Sequence, residues 1–140
     1  MSGERIVIVG SGQAAIQLAA SLRQEGHEGP ITLIGDEPGL PYQRPPLSKG
    51  YMKEGDPERL VLKPQSFFER NAITLRDATR VASIDRAART VATDDGASHG
   101  YDHLVLATGA RNVRPPIAGG THSDVVELRT LAHAETIRRR

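Results

Sequence analysis

The chain reads as an α/β domain: a parallel sheet flanked by helices, with an antiparallel β insertion. Three observations predict this. Ile6-Val7-Ile8-Val9 is a continuous, β-branched apolar run, the pattern of a strand buried on both faces of a parallel sheet. It passes directly into Gly10-Ser11-Gly12 and then into a helical stripe. A second apolar run, Ile31–Ile34, follows a Gly29-Pro30 turn. Strand, helix and strand together make a βαβ unit, and short strands of a different periodicity come after it.

The helix is expected over residues 13–25. Ala15, Leu18, Ala19 and Leu22 fall at i, i+3, i+4 and i+7 and form one apolar stripe, and Gly26 ends it. Pro38, Pro41, Pro45 and Pro46 then crowd one short stretch. Prolines remove donors and push their predecessors toward extended backbone, so residues 40–49 are predicted to be a stiff, ordered loop, not a helix. A short helix is expected over 47–52, a break at Gly55-Asp56-Pro57, and a helix over 64–71 with Phe67 and Phe68. From Ile73 onward, residues 73–76, 81–85 and 89–93 read as short strands of antiparallel hairpins. Asp94-Asp95-Gly96 signals a turn, and Tyr101 is expected to start the return strand. His103–Ala107 is again a buried-strand run, and it stops at Thr108-Gly109-Ala110. Val125-Val126 reads as a short strand and residues 131–140 as a helix.

The first turn carries the chemistry. Gly10 permits the tight turn off the strand. Gly12 lets the backbone approach a pyrophosphate, and Ala15 takes the third, helix-packing position. The helix that starts here turns unpaired N–H groups and a positive dipole end toward phosphates. Asp36 stands at the spacing at which an acid holds a ribose hydroxyl. A glycine motif alone is weak evidence; strand, turn, helix, second strand and acid in this order point to dinucleotide binding. The Pro-rich loop adds Arg44 and Lys49, residue types suited to a flat, charged, partly apolar ligand.

Composition excludes several classes. With 140 residues the chain is long enough for one domain. Net charge is +1 with mixed signs, which gives no electrostatic case for nucleic acid or a membrane surface as the main partner. The one basic run, Arg138-Arg139-Arg140, suits a helix C-terminus. The absence of cysteine excludes disulfides, thiolate nucleophiles and Cys-ligated metal centres within these residues. Neither a signal-peptide pattern nor an apolar run of roughly 20 residues is present, so a cytoplasmic location is expected. His99 and His103 have a helical metal spacing, but Gly100 and the following strand break any helix there, and no metal site is expected. His27, His122 and His133 are isolated, and Ser11 lies in a glycine turn, not a nucleophile elbow.

Leu40-Pro41-Tyr42-Gln43-Arg44-Pro45-Pro46-Leu47-Ser48-Lys49 resembles the FAD-binding loop of the NAD(P)H-dependent ferredoxin reductases, the putidaredoxin-reductase and rhodocoxin-reductase group related to apoptosis-inducing factor. Leu104–Ala110 is similar to the family's strand ending in Ala-Thr-Gly, and Leu128-Arg129-Thr130-Leu131 matches a further family segment. The resemblance runs over essentially the whole chain, in the same order. It implies an FAD with its ribose on Asp36 and its pyrophosphate over Gly10, Gly12 and Ala14. It places Arg44 and Lys49 along the pyrophosphate and flavin, Val81 at the adenine end, Ala107, Thr108 and Gly109 beneath the cofactor, and Arg129 reaching it from a later connection. Lys49 would tune charge near the flavin. For Val81 and Ala107, plain core packing is an equal reading.

The implied activity is electron transfer from NAD(P)H through FAD to an iron–sulfur ferredoxin. The lack of cysteine argues against the disulfide-reductase branch, which needs a redox thiol pair. The family's second, nicotinamide-binding glycine motif has no counterpart here, nor does the late segment that closes over the flavin or the C-terminal interface domain. Residues 1–140 are therefore expected to be the N-terminal part of a truncated, Rossmann-like FAD-binding domain. Two rivals stay open: an inactive fragment that folds yet binds FAD weakly, and a small NAD-binding module without flavin. The Pro-rich loop and the Ala-Thr-Gly strand argue against the second.

Overall fold

A computed structural model describes residues 3–140. Two compact units emerge. One holds the chain through Tyr42 together with Leu62–Gly109; the other holds Gln43–Val61 and Ala110–Arg140.

The first unit is built on a four-stranded sheet. Its strands are β1 (Ile6–Val9), β2 (Ile31–Ile34), β3 (Ile73–Arg76) and β7 (His103–Leu106), in the order β3-β2-β1-β7. All three pairings are parallel, with Ile6 opposite Ile31 and His103, and Ile31 opposite Ile73. A three-stranded antiparallel sheet, β4 (Val81–Asp85), β5 (Thr90–Thr93) and β6 (Ser98–Gly100), is inserted between β3 and β7.

Alternation along the strands explains the unbroken apolar runs. Ile6, Ile8, Ile31 and Leu33 face one side and form a core with Ala15, Ile16 and Ala19 of helix α1 (Gln13–Gln24), and with Phe68 of α3 (Gln65–Arg70). Val7 and Ile34 face the other side, against Val91 and Tyr101. With both faces covered, the central strand β1 is apolar at every position, while the edge strands β3 and β7 carry Thr74, Arg76 and His103. Arg23 joins α1 to the α3–β3 connection by donating to the main-chain oxygens of His27, Gly29, Asn71 and Ala72 at 2.6–3.0 Å.

Several expectations change. Ile73–Arg76 is not part of an antiparallel hairpin; it is the edge strand of the parallel sheet, paired with β2. The return strand is Ser98–Gly100, and Tyr101 follows it into the core. Val125 and Val126 form no strand and stay exposed, since no neighbouring strand offers them a ladder.

The second unit comprises α2 (Gly50–Glu54), a 3₁₀ turn at Pro45–Ser48, another at Pro57–Leu60, and α4 (Leu131–Arg138). The Pro-rich stretch is thus not wholly loop. Pro45 and Pro46 occupy the first turn positions, where a missing N–H costs nothing, and the helix expected at 47–52 starts instead at Gly50. Leu47, Tyr51, Leu60 and Ala134 are its buried residues. Arg138 donates from Nη1 to Tyr51 O at 2.6 Å and lies over the Tyr51 ring.

Candidate functional site

The C-terminal ends of β2, β1 and β7 are adjacent, and the residues of the glycine turn, Asp36 and the Ala-Thr-Gly segment all leave the sheet there. The chain runs from β1 to β2 on one side and reaches β7 on the other. This is a point at which strand order reverses, the place where open parallel sheets bind ligands.

Gly10 closes the corner. Its N–H donates to Ile34 O at 2.8 Å, and its φ is +117°. A Cβ at Gly10 would lie 2.1 Å from Ala107 O. Only glycine allows β1 to turn this close to the end of β7. Ala107 in turn donates its N–H to Val9 O at 2.8 Å. Gly12, the N-cap of α1, is different: a Cβ built there meets nothing within 4 Å. No side chain caps α1, and its first turn carries no acid, so its leading N–H groups have neither an oxygen cap nor a neutralising carboxylate. Ala14 is exposed in this turn, whereas Ala15 is fully buried under the sheet.

Asp36 is exposed, one residue past the buried Gly35. Sequence reading passed over Gly35, yet a Cβ there would lie 2.0 Å from Ser11 Oγ. The end of β2 and the glycine turn therefore touch, which sets Asp36 beside the turn. Gly35 is fixed further by its N–H to Arg76 O, and by its own carbonyl accepting from Thr79 N, both at 2.9 Å. Nothing in the sequence flagged Thr79, since a lone threonine carries no local signal for such a contact.

Thr108 and Gly109 are exposed past the end of β7, and Gly109 has φ +69°. Val81 is half-buried at the start of β4 and packs against the Val7, Ile34, Val91 and Tyr101 cluster, the packing role foreseen as its alternative. In the second unit, Arg44 and Arg129 are brought together: Arg44 Nη1 donates to Arg129 O at 2.9 Å. Lys49 is exposed, and its Nζ donates to Pro45 O at 3.3 Å. His99 and His103 lie on different strands, β6 and β7.

The strongest pKa shifts lie away from this corner. Asp95 is held down to about 2 by the Thr93 hydroxyl, the Ala97 N–H and Arg76, and Asp102 to about 2 by Arg5. Both acids serve as struts: Asp102 ties the starts of β1 and β7, and Asp95 ties β3 to the turn of the antiparallel sheet.

This arrangement matches a known family over nearly its full length. The model for pyridine nucleotide-disulphide oxidoreductases covers residues 4–140. The chain belongs to that family. Within it, the chain is 50% identical to rhodocoxin reductase of Rhodococcus erythropolis over 94% of its own length and 31% of the relative's. It is 42% identical to rubredoxin-NAD(+) reductase of Pseudomonas putida, over 96% of this chain and 35% of that one. Among solved structures, a ferredoxin reductase from Rhodopseudomonas palustris superposes with a TM-score of 0.91 at 47% identity, covering 99% of this chain and 34% of the other. The putidaredoxin reductase–putidaredoxin complex gives 0.89 at 38% identity, covering 99% and 34%. The chain therefore spans about a third of the length of these members of the pyridine nucleotide-disulphide oxidoreductase family. Its parallel sheet, flanking helices and antiparallel insertion are their Rossmann-like fold.

Proposed function

We propose that these residues form the FAD-binding portion of a flavoprotein that passes electrons from NAD(P)H to an iron–sulfur ferredoxin. The observation that carries this reading is the corner at Gly12. An uncapped helix N-terminus meets open space there, beside an exposed carboxylate at the end of the next strand. A pyrophosphate suits the first feature and a ribose hydroxyl the second. The residues present thus fit a dinucleotide of the FAD type.

On this reading, the first-turn N–H groups of α1 bind the pyrophosphate, with Gly10, Gly12 and Ala14 leaving the backbone bare of bulk. Asp36 accepts from the adenosine ribose. Ala107, Thr108 and Gly109 contribute backbone at the end of β7, and Val81 contributes at the adenine end. Arg44, Lys49 and Arg129 supply positive charge, with Lys49 tuning the flavin. Bound FAD supplies the redox chemistry, while the chain positions it. The names of the relatives, reductases of ferredoxin, rubredoxin and rhodocoxin type, support an iron–sulfur protein as the electron acceptor and NAD(P)H as the donor for a longer polypeptide.

Calorimetric titration tests the site. FAD is expected to bind the chain saturably, and Asp36→Ala to weaken it by about tenfold, the loss of one charge-assisted hydrogen bond of ~1.5 kcal/mol. Unchanged affinity would remove Asp36 from the site. Affinity for NAD(H) above that for FAD would make the chain a nicotinamide module instead.

A further inference from the structure

We propose that His133 is a proton-sensitive positioning residue. As a neutral imidazole it clasps the main chain at Arg129 and Thr130; on protonation it releases that segment and the Arg44 guanidinium seated on it. The link to cofactor binding rests on reading Arg44 and Arg129 as FAD contacts. The clasp itself does not.

Helix α4 begins with a reciprocal cap. Thr130 Oγ1 accepts from His133 N at 3.2 Å, and His133 Nδ1 accepts from the N–H groups of Arg129 at 3.2 Å and Thr130 at 3.4 Å. Such boxes ordinarily place Glu or Gln at this third position, and both keep an acceptor oxygen throughout the neutral range. Imidazole does not. Only its unprotonated nitrogen accepts, and one proton turns that nitrogen into a donor facing two other donors. Imidazoles in general change charge between about pH 5 and pH 8. The protonated ring would also put a cation at the positive end of a helix, which is unfavourable.

The next link is the peptide of Arg129. Its N–H is held by His133, and its carbonyl accepts from Arg44 Nη1 at 2.9 Å. One residue is thus gripped from both sides, and loss of the imidazole acceptor loosens the seat of Arg44.

Charges around the ring act in both directions. Glu127 interacts electrostatically with His133 and favours its cation. The hydrogen bonds of Glu127 with Arg114 and Asn112 hold its carboxyl below the usual range, so it stays anionic wherever imidazoles titrate. The positive end of the α4 helix dipole opposes a cation there. Of the elements packed against α4, the Pro45–Ser48 turn carries no charged side chain. Helix α2 brings Lys53 and Glu54, but it meets α4 around Arg138, at the far end.

The test is a ¹⁵N NMR titration of the chain from about pH 8 to about pH 5, the range in which imidazoles titrate. The expected result has three parts. At the upper limit His133 carries its proton on Nε2. The Arg129 and Thr130 amides then shift in one transition with the His133 ring. In His133→Gln, whose amide oxygen accepts at every pH, both amides stay fixed. Amides that hold still while the wild-type ring titrates, a proton on Nδ1 at the upper limit, or the same transition in His133→Gln would each overturn the proposal. Should the variant fail to fold, the wild-type tautomer and titration decide alone. FAD affinity is expected to fall with pH alongside these amides and to stay level in His133→Gln. If affinity is level in both proteins while the amides shift, the clasp stands and Arg44 and Arg129 leave the cofactor site.

Discussion

Gly10 and Gly12 sit two residues apart and answer to different demands. Gly10 is required by the protein itself, since a Cβ there would collide with the carbonyl of Ala107 and the backbone has φ +117°. Gly10→Ala is expected to destabilise the chain by ~1–3 kcal/mol from backbone strain alone, with the steric overlap adding to it. Gly12 has open space on its Cβ side, so Gly12→Ala is expected to change stability by less than ~1 kcal/mol, as for an N-cap exchange, while lowering FAD affinity. Thermal unfolding of the two variants, each with and without FAD, separates the roles. Equal destabilisation by both would show that Gly12 is also a folding requirement. Asp36 and His133 belong to this scale as well, one read directly from spacing and the other visible only in three dimensions.

At the scale of elements, the antiparallel insertion is fastened to the parallel sheet by polar struts. Arg76 at the end of β3 reaches Asp95 at 3.0 Å, and Asp95 also accepts from Thr93 and Ala97 in the β5–β6 turn. These interactions hold the Asp95 carboxyl at about 2, below its ordinary 3.8. The sign follows from that depression. The stabilisation is fully present above the ordinary carboxylate range and is lost as pH falls through about 2. Acid unfolding is therefore expected to lose part of its dependence between pH 3.8 and about 2 in Asp95→Asn. Superimposable acid-unfolding profiles for the variant and the parent chain would show that the strut adds nothing. The group is exposed, so the effect is expected to be small and to shrink with salt.

At the scale of the whole molecule, the chain contains one glycine-rich dinucleotide fingerprint, and the reductases it matches are about three times its length. The 140 residues supplemented with FAD are expected to show no NAD(P)H-dependent reduction of a ferredoxin or a dye. Appreciable turnover in a spectrophotometric assay would require a nicotinamide site within these residues. Among the described residues no helix is long and apolar enough to cross a membrane.

Local chemistry made much of this legible in advance. The βαβ unit, the glycine turn, the strand at His103–Leu106 and the helix carrying Phe67 and Phe68 each depend on periodicity or on a residue's own backbone preference, which the sequence carries in full; the burial expected of His103–Leu106 did not follow, because it is an edge strand with His103 and Leu106 exposed. The assignment of Ile73–Arg76 did not, because four alternating residues fit either kind of sheet and only the partner strand decides. The Pro-rich stretch failed in part for the same reason, since proline forbids a helix interior but suits the first turn it was given. Gly35 against Ser11, Arg23 across four carbonyls, Thr79 under the end of β2 and His133 across the start of α4 are meetings of residues or main-chain groups whose orientation the sequence does not record. Sequence alone singled out the corner we propose for a dinucleotide; the tertiary structure decided how the segments around that corner pack, because close packing and hydrogen-bond direction exist only once distant segments are side by side.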